Sequence, residues 1–480
     1  MILCARDHSQ RGWPACFATY LLHRPPRALC PFFPGPNEPP MRELLPLRHR
    51  HDRAILAMAI PAIGSLAIDP LVSLVDTFFV GRIGTAELAA LGINSALFAM
   101  AFIVFNFLAY ATTPKIAAHL GRDEVEEAGR VVSHALWLAL ICGGLMTATL
   151  LVFAAPLLAL MGAAGDVAGP ALTYLKIRAW AGPALLISTA AHGAFRGFQD
   201  TRTPMWVTVM LNLINLVLDP LLIFGLGWGI AGAAIATVVA QWSGALLFLW
   251  LLLVRRREAM RVPLLAPSLS GMLPLVRVGS ALLLRTGALV GTMTLATAVA
   301  ARQGAESVAA HQVANQLWGF FALLIDALAI AGQALLANFI GRDDVEEARA
   351  MGARLLQWGL ATGLVLGASI WLSGGLLAEA FSTDAEVIAG ILMLIPFVAV
   401  LQPLNALVFV WDGLYMGTQA FGFLARAMLL SAGVAGALLL ATNPLGWGLI
   451  GVWSAITSLM IVRGLTLGVP WATRRVPGLD

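Results

Sequence analysis

Asp69 and Asp76 stand seven residues apart in an otherwise apolar run from Ala54 to Val80. Seven residues is close to two helical turns, which puts both acids on one side of a helix, about 10 Å apart along its axis. A charge at the centre of a bilayer costs about 2.5–3.5 kcal/mol on insertion scales, so an acid at that depth faces a bundle interior or a watered cavity. Pro61 and Pro70 each delete a backbone donor, and Pro70 also frees the carbonyl of Leu66. The predicted element is an ionisable helix with two hinge points. Asp69 reads equally well as a local cap at the Pro70 kink.

A second polar stripe lies in NLINLVLDPLLIF, which begins at Asn212. Asn212, Asn215 and Asp219 follow 3, 4 spacing and share one face of an apolar helix. Pro220 repeats the Asp-Pro-Leu of residues 69–71 and frees the carbonyl of Leu216. Carboxylate, amide oxygen and free carbonyl are hard oxygen donors, suited to a proton or to Na⁺ at Asp76, Asn215 and Asp219. The plainer reading makes the asparagines interhelical ties, worth about 0.6–2 kcal/mol each. Elsewhere, Arg285 and Asp326 are expected to form a structural pair. His192 reads as a core histidine in preference to a proton relay, and Lys176 and Arg178 as interfacial residues that snorkel.

The elements that must position these residues are membrane helices. Of 480 residues, 59% are hydrophobic and 12% charged, against about 25% charged in soluble domains. Apolar runs of spanning length fall near 54–80, 88–114, 131–160, 170–194, 204–226 and 230–254, then near 273–300, 307–338, 350–377, 386–412, 421–441 and 446–470. The predicted fold is all-α, with twelve transmembrane helices. Arginines crowd the amino-terminal flank, the even-numbered connections and the carboxyl end. That bias places both termini in the cytoplasm, on a multi-pass protein of the inner plasma membrane. The net charge of +4 then belongs to loops facing anionic lipid, and no nucleic-acid partner is implied.

Residues 1–40 are rich in Pro and Arg and carry Cys4, Cys16 and Cys30. They are expected to be a disordered tail or an over-extended start. There is no phosphate loop and no DDxxD, so nucleotide hydrolysis and prenyl transfer are not indicated. The reading is a non-enzyme with no cofactor.

The chain repeats itself. GRDEVEEA at 121–128 recurs as GRDDVEEA at 341–348, and the same shift superposes Gly193, Gly197 and Gln199 on Gly413, Gly417 and Gln419. Six helices per repeat is an even number, so two six-helix lobes should be related by a pseudo-twofold axis along the membrane normal, with the pathway between them. The lobes are expected over 41–264 and 265–480. They differ where ionisable groups lie: the shift sets Asp69 and Asp76 against Leu289 and Ala296, and Asp219 against Leu439.

Three stretches, IPAIGSLAIDPLVSLVDTFFVGRIG at 60–84, FRGFQDTRTP at 195–204 and NLINLVLDPLLIFG at 212–225, together with the duplication, carry a resemblance. Across residues 50–470 the chain resembles the multidrug and toxic compound extrusion (MATE) transporters, of the DinF-like branch. The resemblance implies a cavity in the amino lobe with a protonatable first-helix aspartate at Asp76. It implies fifth-helix partners at Asn215 and Asp219 and further lining at Tyr174 and Thr237, and Asp69, His192 and Asn212 are expected to support the same cavity. His192 stands where the family often has an amide, which leaves H⁺ or Na⁺ as the coupling ion.

The implied function is a secondary antiporter. It would export amphipathic, cationic organic molecules in exchange for H⁺ or Na⁺, working as a monomer in the bilayer. Protonation of Asp76 would let the first helix bend near Pro61 or Pro70 and expel the substrate. Two alternatives stay open: a flippase for lipid-linked precursors, which would want a basic cavity, and an exporter of organic anions.

Overall fold

In lipid, every backbone N–H and C=O has to be satisfied within its own segment, so long apolar runs close into helices. The structure, a computed structural model, describes residues 49–263 and 266–479, and among these no strand occurs. The tail expected over residues 1–40 lies outside the described residues.

The first half begins with α1 (Asp52–Gly81), α2 (Thr85–Ile103), α3 (Phe107–Gly121), α4 (Val125–Val152) and α5 (Ala154–Leu160). It continues with α6 (Ala168–Arg178), α7 (Gly182–Gly197), α8 (Arg202–Pro220), α9 (Gly229–Trp250) and the short α10 (Arg257–Met260). The second half holds α11 (Leu269–Ala301), α12 (Ala305–Gly341), α13 (Val345–Phe381), α14 (Ala385–Gly417), α15 (Phe421–Thr442) and α16 (Gly448–Ala472).

Eleven helical segments among the described residues are long and apolar enough to cross a membrane, α2 and α3 counting together. The remaining span is α6 and α7, parted by a turn of 3₁₀ helix at Ala179–Ala181. Gly182 and Pro183 follow this break. Proline is at ease in a first helical turn, where its missing N–H would have had no partner. The acidic GRDEVEEA segment leads straight into the first turn of the spanning helix α4. Even-numbered crossings bring both chain ends to one face of the molecule, called here the termini side.

The spans form two lobes. In the amino lobe α1 packs on α8, α8 on α9, and α7 against α3 and α4; in the carboxyl lobe α14 packs between α12 and α13, while α15 joins α11 to α16. The duplication is visible in the backbone itself. Asp123 and Asp343 adopt left-handed φ of 59° and 57°, and Gln199 and Gln419 both adopt 59°. Each pair is separated by the repeat shift, and each ends a helix in the conformation that caps its last carbonyls.

The lobes meet through α12, which packs on α1 and α3, and through α11, which packs on α3. Asn338 donates to the carbonyl of Ala117 at 3.1 Å and Gln333 to that of Tyr110 at 2.7 Å. The α2 half of the second span makes its main contacts within its own lobe. The lobes are therefore closed together on the termini side. There Asp52 accepts from Arg354 at 2.6 and 2.8 Å and from the Trp358 indole at 2.8 Å, tying α1 to α13.

Candidate functional site

The site is built from the far ends of four spans. Asp76 lies in the last turns of α1, before Gly81, and so near the side opposite the termini instead of at mid-span. Asp219 ends α8 just ahead of Pro220, after which the chain widens into a π turn at Leu221–Gly225. A proline removes one helical hydrogen bond, and the wider turn takes up the slack in the carbonyl ladder. Because α1 and α8 pack side by side, the two acids of separate spans come together. Their carboxyl groups are near enough to interact side chain to side chain, with the Asn215 amide beside Asp219.

Tyr174 on α6 and Thr237 on α9 close the cluster. Their side chains interact with each other, and the phenol lies within electrostatic reach of both aspartates. Asn215 and Asp219 are 4% and 1% exposed, a depth at which polar atoms ordinarily have partners. Yet both carboxylate oxygens of Asp219, Oδ1 of Asp76 and the Asn215 amide nitrogen are buried short of a full hydrogen bond to any described residue. The cluster is thus rich in oxygen acceptors whose capacity the protein itself does not use.

From its sequence position Arg178 is expected to snorkel at the interface. The structure brings it within electrostatic reach of Asp76 and Tyr174, with its guanidinium 5.1 Å from the centre of the Phe98 ring. The signal was present, since Arg178 is four residues beyond Tyr174 and so on the same helix face.

The other expected residues are distributed along α1, α7 and α8. Asn212 is a turn further in on α8, its amide donating to the Thr208 carbonyl at 2.9 Å. Asp69 belongs to α1, but its side chain lies outside the described residues. Pro61 and Pro70 are both inside an unbroken α1, the first buried and the second exposed. His192 was expected to support the cavity and does not reach it. It packs edge-on against Phe248, with ring centres 5.2 Å apart, toward the termini end of α7. The helical rise from Tyr174 to His192 is about 27 Å, too far for one site.

In the carboxyl lobe the expected pair is re-partnered. Arg285 takes Asp412, at 2.6 Å, as its ion-pair partner in place of Asp326, and Arg463 bonds the same carboxylate oxygen. Asp326 instead meets the Tyr110 hydroxyl across the lobe boundary, with Arg196 and Arg285 in electrostatic range. Sequence order gives no hint that α14 places Asp412 between α11 and α16, and that placement decides the pairing.

The family model described as MatE matches residues 61–221 and 287–442, one match in each lobe. The chain belongs to the MatE family. This is a family of membrane transporters, not enzymes. Among its relatives, Protein DETOXIFICATION 44, chloroplastic, of Arabidopsis thaliana is 40% identical over 85% of this chain and 80% of that one. DNA damage-inducible protein F of Escherichia coli (strain K12) is 29% identical over 88% of this chain and 92% of its own length. A crystal structure of MATE in the bent conformation superposes with a TM-score of 0.80, covering 89% of this chain and 96% of that one at 24% identity. That likeness bears out the fold class: twelve spans in two six-helix lobes.

Proposed function

We propose that this MatE-family member is a secondary antiporter of the DinF-like branch. It exports amphipathic, cationic organic molecules against an inward flow of H⁺ or Na⁺. The observation that carries the reading is the meeting of Asp76 and Asp219, from separate spans, beside Asn215, Tyr174 and Thr237. Two carboxylates at this range repel when both are ionised, so the pair is best satisfied by a cation or proton shared between them. An organic cation and the coupling ion would compete for the same acceptors, which is the requirement for exchange. Release then follows when the ion neutralises Asp76 and the outer half of α1 moves about Pro61 or Pro70, with the lobes rocking to alternate access.

The same reading places the chain in the inner membrane with its termini in the cytoplasm, supported by the arginine-rich connections. The Arabidopsis relative's name says chloroplastic. An exporter of organic anions would draw on Arg178, but one guanidinium faces two carboxylates here. A lipid-precursor flippase would need a basic cavity, and the acidic pair opposes it. The experiment is dye counterflow in vesicles under ΔpH and ΔpNa applied separately. Asp76→Asn is expected to abolish coupled efflux; coupled efflux at the wild-type rate in that variant would overturn the mechanism.

A further inference from the structure

A cavity of about 270 Å³ opens between the lobes on the termini side. Lys115, His119 and Arg122 line it from the end of α3 and the turn that follows; Gly271, Leu275 and Gln419 line it from the carboxyl lobe. Lys115 is one of only two lysines in the chain. It is half-buried and has no hydrogen bond or ion pair to any described residue. The neighbouring basic side chains are differently placed: His119 and Arg122 both bind Glu124, at 2.7 and 3.0 Å. With that carboxylate engaged, the cavity keeps an uncompensated ammonium at its wall.

The pseudo-twofold supplies a control inside the molecule. The repeat shift carries Lys115, His119 and Gly271 onto Leu335, Phe339 and His51. At that related position the His51 ring packs against Phe339, with centres 5.7 Å apart, and Arg50 and His51 pair with Glu347. One side of the axis is thus filled by protein and paired internally. The other keeps an open cavity with a cation at its wall: lysine replaces leucine, and at the glycine the His134 ring of α4 lies where a side chain at residue 271 would stand.

We propose that this cavity binds an anionic phosphate group, either the headgroup of an anionic phospholipid or a free phosphate. Basic pockets between spanning helices at the membrane boundary suit such headgroups, and a lysine ammonium supplies strong charge-assisted bonds to phosphate oxygens. Its walls come from both lobes, so the anion binds the arrangement in which the lobes are closed on the termini side and favours it over any arrangement that parts them. The site is distinct from the acidic cluster near the far end of the spans and does not depend on the antiport reading.

The test uses the full chain in neutral detergent, titrated with dioctanoyl phosphatidylglycerol, dioctanoyl phosphatidylcholine or inorganic phosphate, with binding read by native mass spectrometry and calorimetry. Saturable binding of the phosphatidylglycerol but not of the phosphatidylcholine is expected, weakened about tenfold in Lys115→Gln and preserved in Lys115→Arg. Arg122→Gln, at an exposed position, should weaken binding without disturbing the fold. Competition by inorganic phosphate at similar concentration assigns the site to a soluble anion; its failure to compete assigns it to lipid. Absence of saturable binding by either anion, or equal binding in Lys115→Gln and Arg122→Gln, overturns the proposal.

Discussion

Gly121 and Gly341, equivalent positions of the two repeats, pack against each other across the lobe boundary. A Cβ on Gly121 would lie 2.2 Å from the Asn338 carbonyl oxygen and 2.8 Å from the Gly341 Cα, and a Cβ on Gly341 would lie 2.1 Å from the Ala118 carbonyl oxygen. Residue 118 answers to residue 338 under the repeat shift. The contact is therefore isologous, and the pseudo-twofold axis runs through it.

Gly341→Ala should therefore wedge the lobes apart on the termini side. Backbone carbonyls cannot swing away as a flexible side chain can, and overpacking of this kind costs about 1–3 kcal/mol. Spin labels on the ends of α3 and α12 are expected to report a longer and broader distance distribution than in the unsubstituted protein. An unchanged distribution would mean that the contact yields without the lobes moving.

Asp76 and Asp219 should behave as one unit in transport. Asp76→Asn and Asp219→Asn are each expected to lower the initial counterflow rate by about tenfold or more, and the double variant to be hardly worse than either. Losses that multiply in the double variant would show that the two acids act independently.

The Arg285–Asp412–Arg463 triad predicts a stability effect without a transport role. Asp412→Asn leaves two arginines in the lobe interior without their carboxylate, at a cost of about 3–5 kcal/mol. A clear fall in Tm by intrinsic fluorescence is expected. The triple replacement by Leu, Met and Leu should recover much of that loss, since removing a whole buried ion cluster is often neutral. A Tm unmoved by Asp412→Asn would count against the triad.

His51 gives the termini-side closure a pH dependence. Burial holds its imidazole below the ordinary 6.5, outweighing the opposing field of Glu347, with His49 and Arg50 adding to the fall and Asp52 opposing it. The folded state then binds fewer protons than the unfolded one. This contribution is whole above the unfolded value of about 6.5 and is lost as pH falls from there through the lower folded value. Tm measured from about pH 8 to pH 5.5 should decline less steeply in His51→Gln. Parallel curves would assign the decline to other groups.

The sequence by itself determined the helices, their number and their duplication, because these follow from local requirements: apolar length, satisfied backbone groups, and a copied pattern of turns. It also put Asp76, Asn215 and Asp219 on particular helix faces. Tertiary structure decided which faces meet. Packing of α1 on α8 set Asp76 against Asp219, α6 carried Arg178 to the same place, and the broken fourth span left His192 a long way off. Likewise Arg285 met Asp412 instead of Asp326 because the side chains of α11, α14 and α16 converge on the Asp412 carboxylate. A helix fixes what each residue can offer its surroundings, but lipid is equally apolar to every outward face. The choice of neighbour therefore falls to close-contact packing, as at Gly121 and Gly341, which no single span contains.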